Sequence, residues 1–113
     1  MKKGIIFSTL CLVSISNALN IKERGIDLSL GDTKVGQSIF SRYIRFDCNI
    51  SYIKFAIIHT QNEWEDIAQA GKFEEEIFRV CPKITKKYAR EWTPHLYQFA
   101  YYYAIDSGNI PSY

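Results

Sequence analysis

Histidine, cysteine and methionine are scarce in this chain of 113 residues, which contains two, three and one of them. The two histidines, His59 and His95, lie far apart in sequence, and no His-Glu-x-x-His motif is present. Gly-x-Ser-x-Gly elbows and glycine-rich phosphate loops are also missing. These absences favour a protein that is not an enzyme, while an enzyme or an enzyme inhibitor without a recognisable motif stays open.

The first eighteen residues have the pattern of an export signal. Lys2 and Lys3 form a basic start, residues 4–16 are mostly apolar, and Ser16 and Ala18 are small residues at the positions that a signal peptidase inspects. We therefore expect cleavage before Leu19 and a mature protein that is periplasmic or secreted.

A retained membrane anchor and a lipid attached to Cys11 are the alternatives to cleavage. The apolar run is shorter than the roughly 20 residues that a bilayer crossing needs. No later segment is apolar enough to span either, so we expect no stable membrane insertion after cleavage. Bulky Leu10 stands where a lipoprotein signal usually has a small residue.

Charge is balanced once the leader is removed. The chain has 14 Lys and Arg against 12 Asp and Glu, and Lys2 and Lys3 account for the excess. A nucleic-acid or anionic-membrane partner favours a basic surface, and no local run of the mature sequence supplies one. The sequence therefore predicts a protein partner and excludes nucleic acid.

Two cysteines stay in the mature chain, Cys48 and Cys81, and an exported protein favours their oxidation. We predict a structural disulfide between them. A redox-active pair is less favoured because such pairs more often form a close Cys-x-x-Cys. A metal site built from both cysteines with His59 and His95 has the right ligand types but no short ligand spacing.

The remaining pattern predicts one small, mainly α domain. Residues 19–31 form an extended arm or short strand, 32–108 a helical bundle, and 109–113 a tail. A first helix, capped by Asp32 or Thr33, places Val35, Ile39, Tyr43 and Phe46 on its apolar face. A short helix, assigned less firmly because a strand would also fit, follows Ser51.

Three further helices carry clearer signals. Thr60 and Glu63 form a capping box, behind which Trp64 begins a core-facing stripe, and Gly71 stops that helix. The next helix runs from Phe73 to Pro82. The last is capped by Thr93, has Pro94 at its first position and ends near Gly108.

Tyrosines crowd this last helix. Its inward stripe is predicted to be Leu96, Phe99, Ala100 and Tyr103. We therefore assign Tyr97, Tyr101 and Tyr102 to a partner-binding surface, because tyrosine is favoured at interfaces. The alternative is that they pack against the first helix.

The order of parts resembles the small cytochrome c proteins of the bacterial periplasm over about residues 33–106. Gly-Gln-Ser-Ile-Phe at 36–40 resembles their opening helix, Cys48 falls where their haem-attachment region starts, Glu63 and Trp64 resemble their middle helix, and residues 96–101 resemble their closing helix. The resemblance implies a cytochrome-c-like fold and a partner in respiratory or redox assembly.

Two departures separate the chain from that family. Residues 48–52 contain one cysteine and no histidine, so the Cys-x-x-Cys-His haem attachment is missing, and the mature chain has no methionine for an axial ligand. The sequence therefore indicates a haemless relative that acts as an accessory or binding protein without a cofactor. The alternative is a non-covalent haem or metal carrier that uses His59 and His95 as ligands.

Overall fold

The structure, a computed structural model, describes residues 21–111. The predicted leader, residues 1–18, lies outside this range. Strands β1 (Lys22–Glu23) and β2 (Ile26–Asp27) pair antiparallel, with Lys22 opposite Asp27 and Glu23 opposite Ile26. The described part of the segment predicted to be an extended arm or short strand therefore forms a small hairpin, and it packs on the core through Ile21 and Leu28.

The hairpin is followed by a 3-10 turn (Leu28–Leu30) and then by one continuous helical stretch. This stretch consists of α1 (Thr33–Ile39), a π-helical turn (Phe40–Ile44) and α2 (Arg45–Cys48). Asp32 caps α1, as predicted, by accepting the Val35 N–H at 2.9 Å. The stretch ends at Asn49, which adopts the left-handed conformation with φ of 52°.

The predicted apolar face of this helix is wrong at three of its four residues, since only Ile39 packs against the core. Val35, Tyr43 and Phe46 are exposed by 43%, 45% and 77%, while Phe40 and Ile44 are 1% exposed. The buried residues are instead spaced four positions apart. On an α-helix, each step of four residues turns the side-chain direction by about 40° around the helix axis. The wide π turn offsets this rotation, and the Arg45 N–H bonds to the Phe40 carbonyl five residues back. The π turn thereby keeps the same face of the helical stretch directed at the core as far as Cys48.

The other helices are α3 (Tyr52–Ala56), α4 (Gln61–Gln69), α5 (Phe73–Val80) and α6 (Thr93–Tyr102), with 3-10 turns at Pro82–Ile84 and Arg90–Trp92. Ser51 caps α3, which confirms the helix there. The capping box of α4 is confirmed in both directions, since Thr60 and Glu63 each accept the other's backbone N–H.

Both predicted ends of the last helix are wrong. Thr93 lies inside α6 rather than capping it, because its hydroxyl donates to Glu74 at 2.6 Å. The helix stops at Tyr102, six residues before Gly108. Beyond it the chain turns back toward the loop after α3, where the Ile105 N–H donates to the His59 carbonyl at 3.1 Å.

The fold is closed by the crossing of α1 and α6. A Cβ at Gly36 would lie 2.0 Å from the His95 carbonyl oxygen, so only glycine permits this approach. Beside the crossing, the Phe40 ring contacts Phe55 and Phe99 with centroids 5.1 and 5.6 Å apart. The result is a mainly helical domain with an aromatic core. None of its helices between residues 21 and 111 has both the length and the apolar character needed to cross a bilayer.

Candidate functional site

His59 lies just before α4 and is surrounded by carboxylates. Its Nε2 is 2.7 Å from Glu76 Oε2, and its Nδ1 is 3.5 Å from Glu63 Oε1. The ring packs edge-on against Trp64 with centroids 4.7 Å apart. His59 therefore joins the start of α4 to the middle of α5, in the manner of a structural histidine.

Glu76 is held in its ionised form by this arrangement. Arg79 donates to both of its oxygens, and this pair, with a smaller contribution from His59, holds the pKa of Glu76 below its usual value despite partial burial. A carboxyl group with a lowered pKa stabilises the fold above its unfolded pKa, and this stabilisation is lost as the pH falls through its folded pKa.

Replacing Arg79 with Met is therefore expected to destabilise the protein at pH 7 and to matter progressively less below about pH 4.5, the ordinary value for Glu76. Urea unfolding of both proteins across pH 7 to 3 measures the difference. Lys72→Met is the control, because Lys72 forms no ion pair among the described residues. A destabilisation by Arg79→Met that stays constant with pH would contradict the account.

His95 occupies a different environment, in the first turn of α6. Its Nδ1 accepts the backbone N–H of Asp32 at 2.9 Å, so the neutral ring carries its proton on Nε2. This bond ties the start of α1 to the start of α6.

The two proposed haem ligands are thus engaged with separate partners. His59 would have to give up Glu76, and His95 would have to change tautomer, before either Nε2 lone pair could bind iron. Within residues 21–111 no group of three or more His, Cys, Asp or Glu side chains is placed to hold a metal ion.

The predicted disulfide is present. Cys48, at the end of α2, is bonded to Cys81, directly after α5, with their Cα atoms 5.3 Å apart. Cys81 is buried at 3% exposure and belongs to the core. The cross-link is therefore a structural part of the interior.

The tyrosines of α6 do not share one surface. The expectation that Tyr97 faces solvent is wrong, because it is 5% exposed and its ring packs edge-on against Phe73 at 5.5 Å. Tyr101 is half-buried, whereas Tyr102 is 44% exposed. A helix has more than one buried face when several elements pack around it. The face of α6 that carries Tyr97 lies outside the predicted inward stripe, and α5 covers it. Tyr101 and Tyr102 stay as partner-binding predictions.

Tyr102 lines a cleft where the end of α6 meets the start of α1. The cleft measures about 590 Å³ and is lined by Gly31, Asp32, Thr33, Lys34, Tyr102 and Tyr103. The Tyr102 and Tyr103 rings meet edge-on with centroids 5.0 Å apart. Burial raises the pKa of Tyr103, so its hydroxyl stays a neutral hydrogen-bond donor. This wall offers aromatic surface and polar groups together.

A buried carboxylate network was missed by the sequence analysis. Glu23 is fully buried and accepts the N–H groups of Phe73 and Glu74 at 2.7 and 2.9 Å, so the hairpin caps α5 from fifty residues away. Burial raises the pKa of Glu23 in spite of these bonds. Glu74 in turn accepts the Thr93 hydroxyl and lies within 4 Å of Arg24 and Arg90.

Tyr88 extends the network. Because Thr93 gives its proton to Glu74, the Tyr88 hydroxyl is the donor in its 2.7 Å contact with Thr93. Burial raises the pKa of Tyr88, which keeps this donor neutral. Residues 23, 74, 88 and 93 share no sequence spacing, so only the fold brings them together. Every buried side-chain nitrogen and oxygen atom of residues 21–111 has a hydrogen-bond partner, as is typical of a structural network.

No protein-family model matches the chain, and no curated protein or solved structure is found to be similar to it. The resemblance to cytochrome c proteins therefore stays a prediction, and functional conclusions depend on the residues themselves.

Proposed function

We propose that the chain is an exported accessory protein, without catalytic activity, that binds a protein partner through the cleft between the start of α1 and the end of α6. The observation that carries the proposal is Tyr102, a large aromatic side chain that is 44% exposed on the wall of a 590 Å³ cleft. Tyrosine at such a position supplies a large contact area and a polar tip at low entropic cost.

The other side of the cleft supports the same role. Lys34 lines the same cleft and takes part in none of the ion pairs formed by residues 21–111. The Asp32 carboxylate also lines the cleft, where it caps α1 and forms no ion pair with this lysine. A partner group with an apolar body and an acidic edge would satisfy both the rings and the amine.

Export is supported by the disulfide between Cys48 and Cys81, since such bonds persist in oxidising compartments and are rare in the cytosol. The partner is then a periplasmic protein, and the cytochrome-c-like order of parts implies one from respiratory or redox assembly. That last step depends on the resemblance alone.

Replacing Tyr102 with Ser is expected to weaken partner capture from periplasmic extract about tenfold or more, with stability changed by less than about 1 kcal/mol. Tyr43→Ser is the matched control, because Tyr43 is 45% exposed and does not line the cleft. Proteins captured by the wild type are identified by mass spectrometry, and their binding to both variants is then measured with purified components. Equal binding by Tyr102→Ser and wild type would refute the proposal.

A further inference from the structure

A second concave surface lies at the other end of the same helical stretch, where α2 turns into α3. The left-handed Asn49 makes the corner, and a groove of about 320 Å³ opens beside it. The groove is lined by Arg45, Phe46, Asn49, Ile50, Ser51 and Lys54. It lies roughly 20 Å along the helix from the Tyr102 cleft, given a rise of about 1.5 Å per residue.

The charge of this groove is positive and uncompensated. Arg45 and Lys54 are both exposed, and neither forms an ion pair with any residue of 21–111. Asp47 is the nearest acid in sequence, but it is paired with Lys87. Arg42, one turn before Arg45, is exposed and lacks an ion pair within the same residues. These cations form no basic run in the sequence because other residues separate them.

An aromatic ring stands among these cations. Phe46 is 77% exposed, the highest value for any large apolar residue of the described chain. The Arg45 guanidinium carbon lies 5.5 Å from the centre of this ring, a cation–π contact that orients the guanidinium while leaving its N–H groups open to a ligand. Exposing such a ring costs solvation free energy unless a partner covers it.

We propose that this groove binds an acidic segment of a partner protein, with carboxylates on Arg45 and Lys54 and an apolar side chain on Phe46. Guanidinium and carboxylate groups match in bidentate geometry, and charge complementarity gives such a site its specificity and association rate. The concave shape favours an inserted chain over a lipid bilayer. The composition favours it as well, because membrane-bound faces present several apolar residues together, whereas Phe46 is flanked by polar groups.

The test uses purified mature protein with its disulfide intact and a fluorescein-labelled short peptide that alternates glutamate with leucine. Fluorescence anisotropy should show saturable binding that weakens as salt rises from about 20 to 300 mM, since exposed charges are screened at those ionic strengths. The double variant Arg45→Glu and Lys54→Glu should weaken binding about tenfold or more, and Phe46→Ser should weaken it independently. A matched peptide with glutamine in place of glutamate should not bind.

Two controls separate this site from the rest of the protein. Tyr102→Ser should keep the peptide binding that the Arg45→Glu and Lys54→Glu double variant loses, so failure of the groove and failure of the Tyr102 cleft are distinguishable. Lys72→Glu makes one such charge reversal just before α5, at the opposite end of that helix from Cys81, and is compared with Lys54→Glu alone. Circular dichroism melting verifies that each variant is folded.

Three outcomes would overturn the proposal. The first is no binding of the acidic peptide at millimolar concentration, and the second is equal binding by the double charge-reversal variant and the wild type. The third is Phe46-dependent binding to vesicles of phosphatidylcholine and phosphatidylglycerol without binding to the peptide, which would assign the surface to a membrane.

Discussion

Replacing Trp64 with Ala is expected to lower the free energy of unfolding by about 3 to 5 kcal/mol. Trp64 is completely buried, and its ring contacts Phe55 and Phe73 with centroids 5.3 and 5.6 Å away. Its Nε1 donates to the Ala56 carbonyl at 2.9 Å, so the truncation would leave both a cavity and a buried acceptor without its donor. Since small domains have only about 5 to 15 kcal/mol of stability, the variant should be close to unfolding.

Urea unfolding followed by circular dichroism measures this loss, and two variants divide it into its causes. Trp64→Phe removes the N–H together with part of the ring system, so its cost, expected to be about 1 to 3 kcal/mol, is an upper limit for the hydrogen bond with Ala56. Trp92→Ala makes the same truncation at a half-buried position before α6, where the ring stacks on Tyr43 at 5.0 Å, and should cost less. A Trp64→Ala protein with a wild-type urea midpoint would show that this residue does not hold the core together.

Features that depend on neighbouring residues were predictable from the sequence. The α4 capping box needs only the side chains of Thr60 and Glu63 and the backbone between them, so it forms wherever the helix starts. Pro94 in the first turn of α6 is equally local. The disulfide was predictable for another reason, because one possible pair of cysteines is left when the predicted leader is set aside.

Features that depend on several elements at once were not predictable. The spacing of Val35, Tyr43 and Phe46 suits an amphipathic α-helix, and nothing local reveals the π turn that turns another face inward. Tyr97 is buried because α5 lies beside α6, a neighbour that a single-helix pattern does not show. The same error hid the groove, since Phe46 had been assigned to the core.

The cross-link between Cys48 and Cys81 sets the position of that groove. Cys48 directly precedes Asn49, the groove's corner, and the bond fixes it to the end of α5 across a sequence separation of 33 residues. The enclosed chain contains α3, α4 and α5, so the reduced unfolded state gains the conformational freedom of a long loop. Chain-entropy estimates for a loop of this length give roughly 3 to 4 kcal/mol of stabilisation.

Replacing both cysteines with Ala is accordingly expected to lower the free energy of unfolding by roughly 3 to 4 kcal/mol. Alanine is preferred to serine because Cys81 is 3% exposed, and a hydroxyl there would add the separate cost of a buried polar group. The Cys48→Ser and Cys81→Ser double variant should therefore be less stable still, and the difference between the two double variants measures that cost.

Free-thiol titration of the denatured protein, prepared without residues 1–18 and so without Cys11, should find no thiol until reductant is added, and urea unfolding then compares the variants. Because Asn49 would lose its anchor to α5, the double-alanine protein should also bind the acidic peptide more weakly under conditions where it remains folded. A double-alanine variant with an unchanged urea midpoint would contradict the stabilising role of the bond. Unchanged peptide binding would show instead that α2 and α3 hold the groove without it.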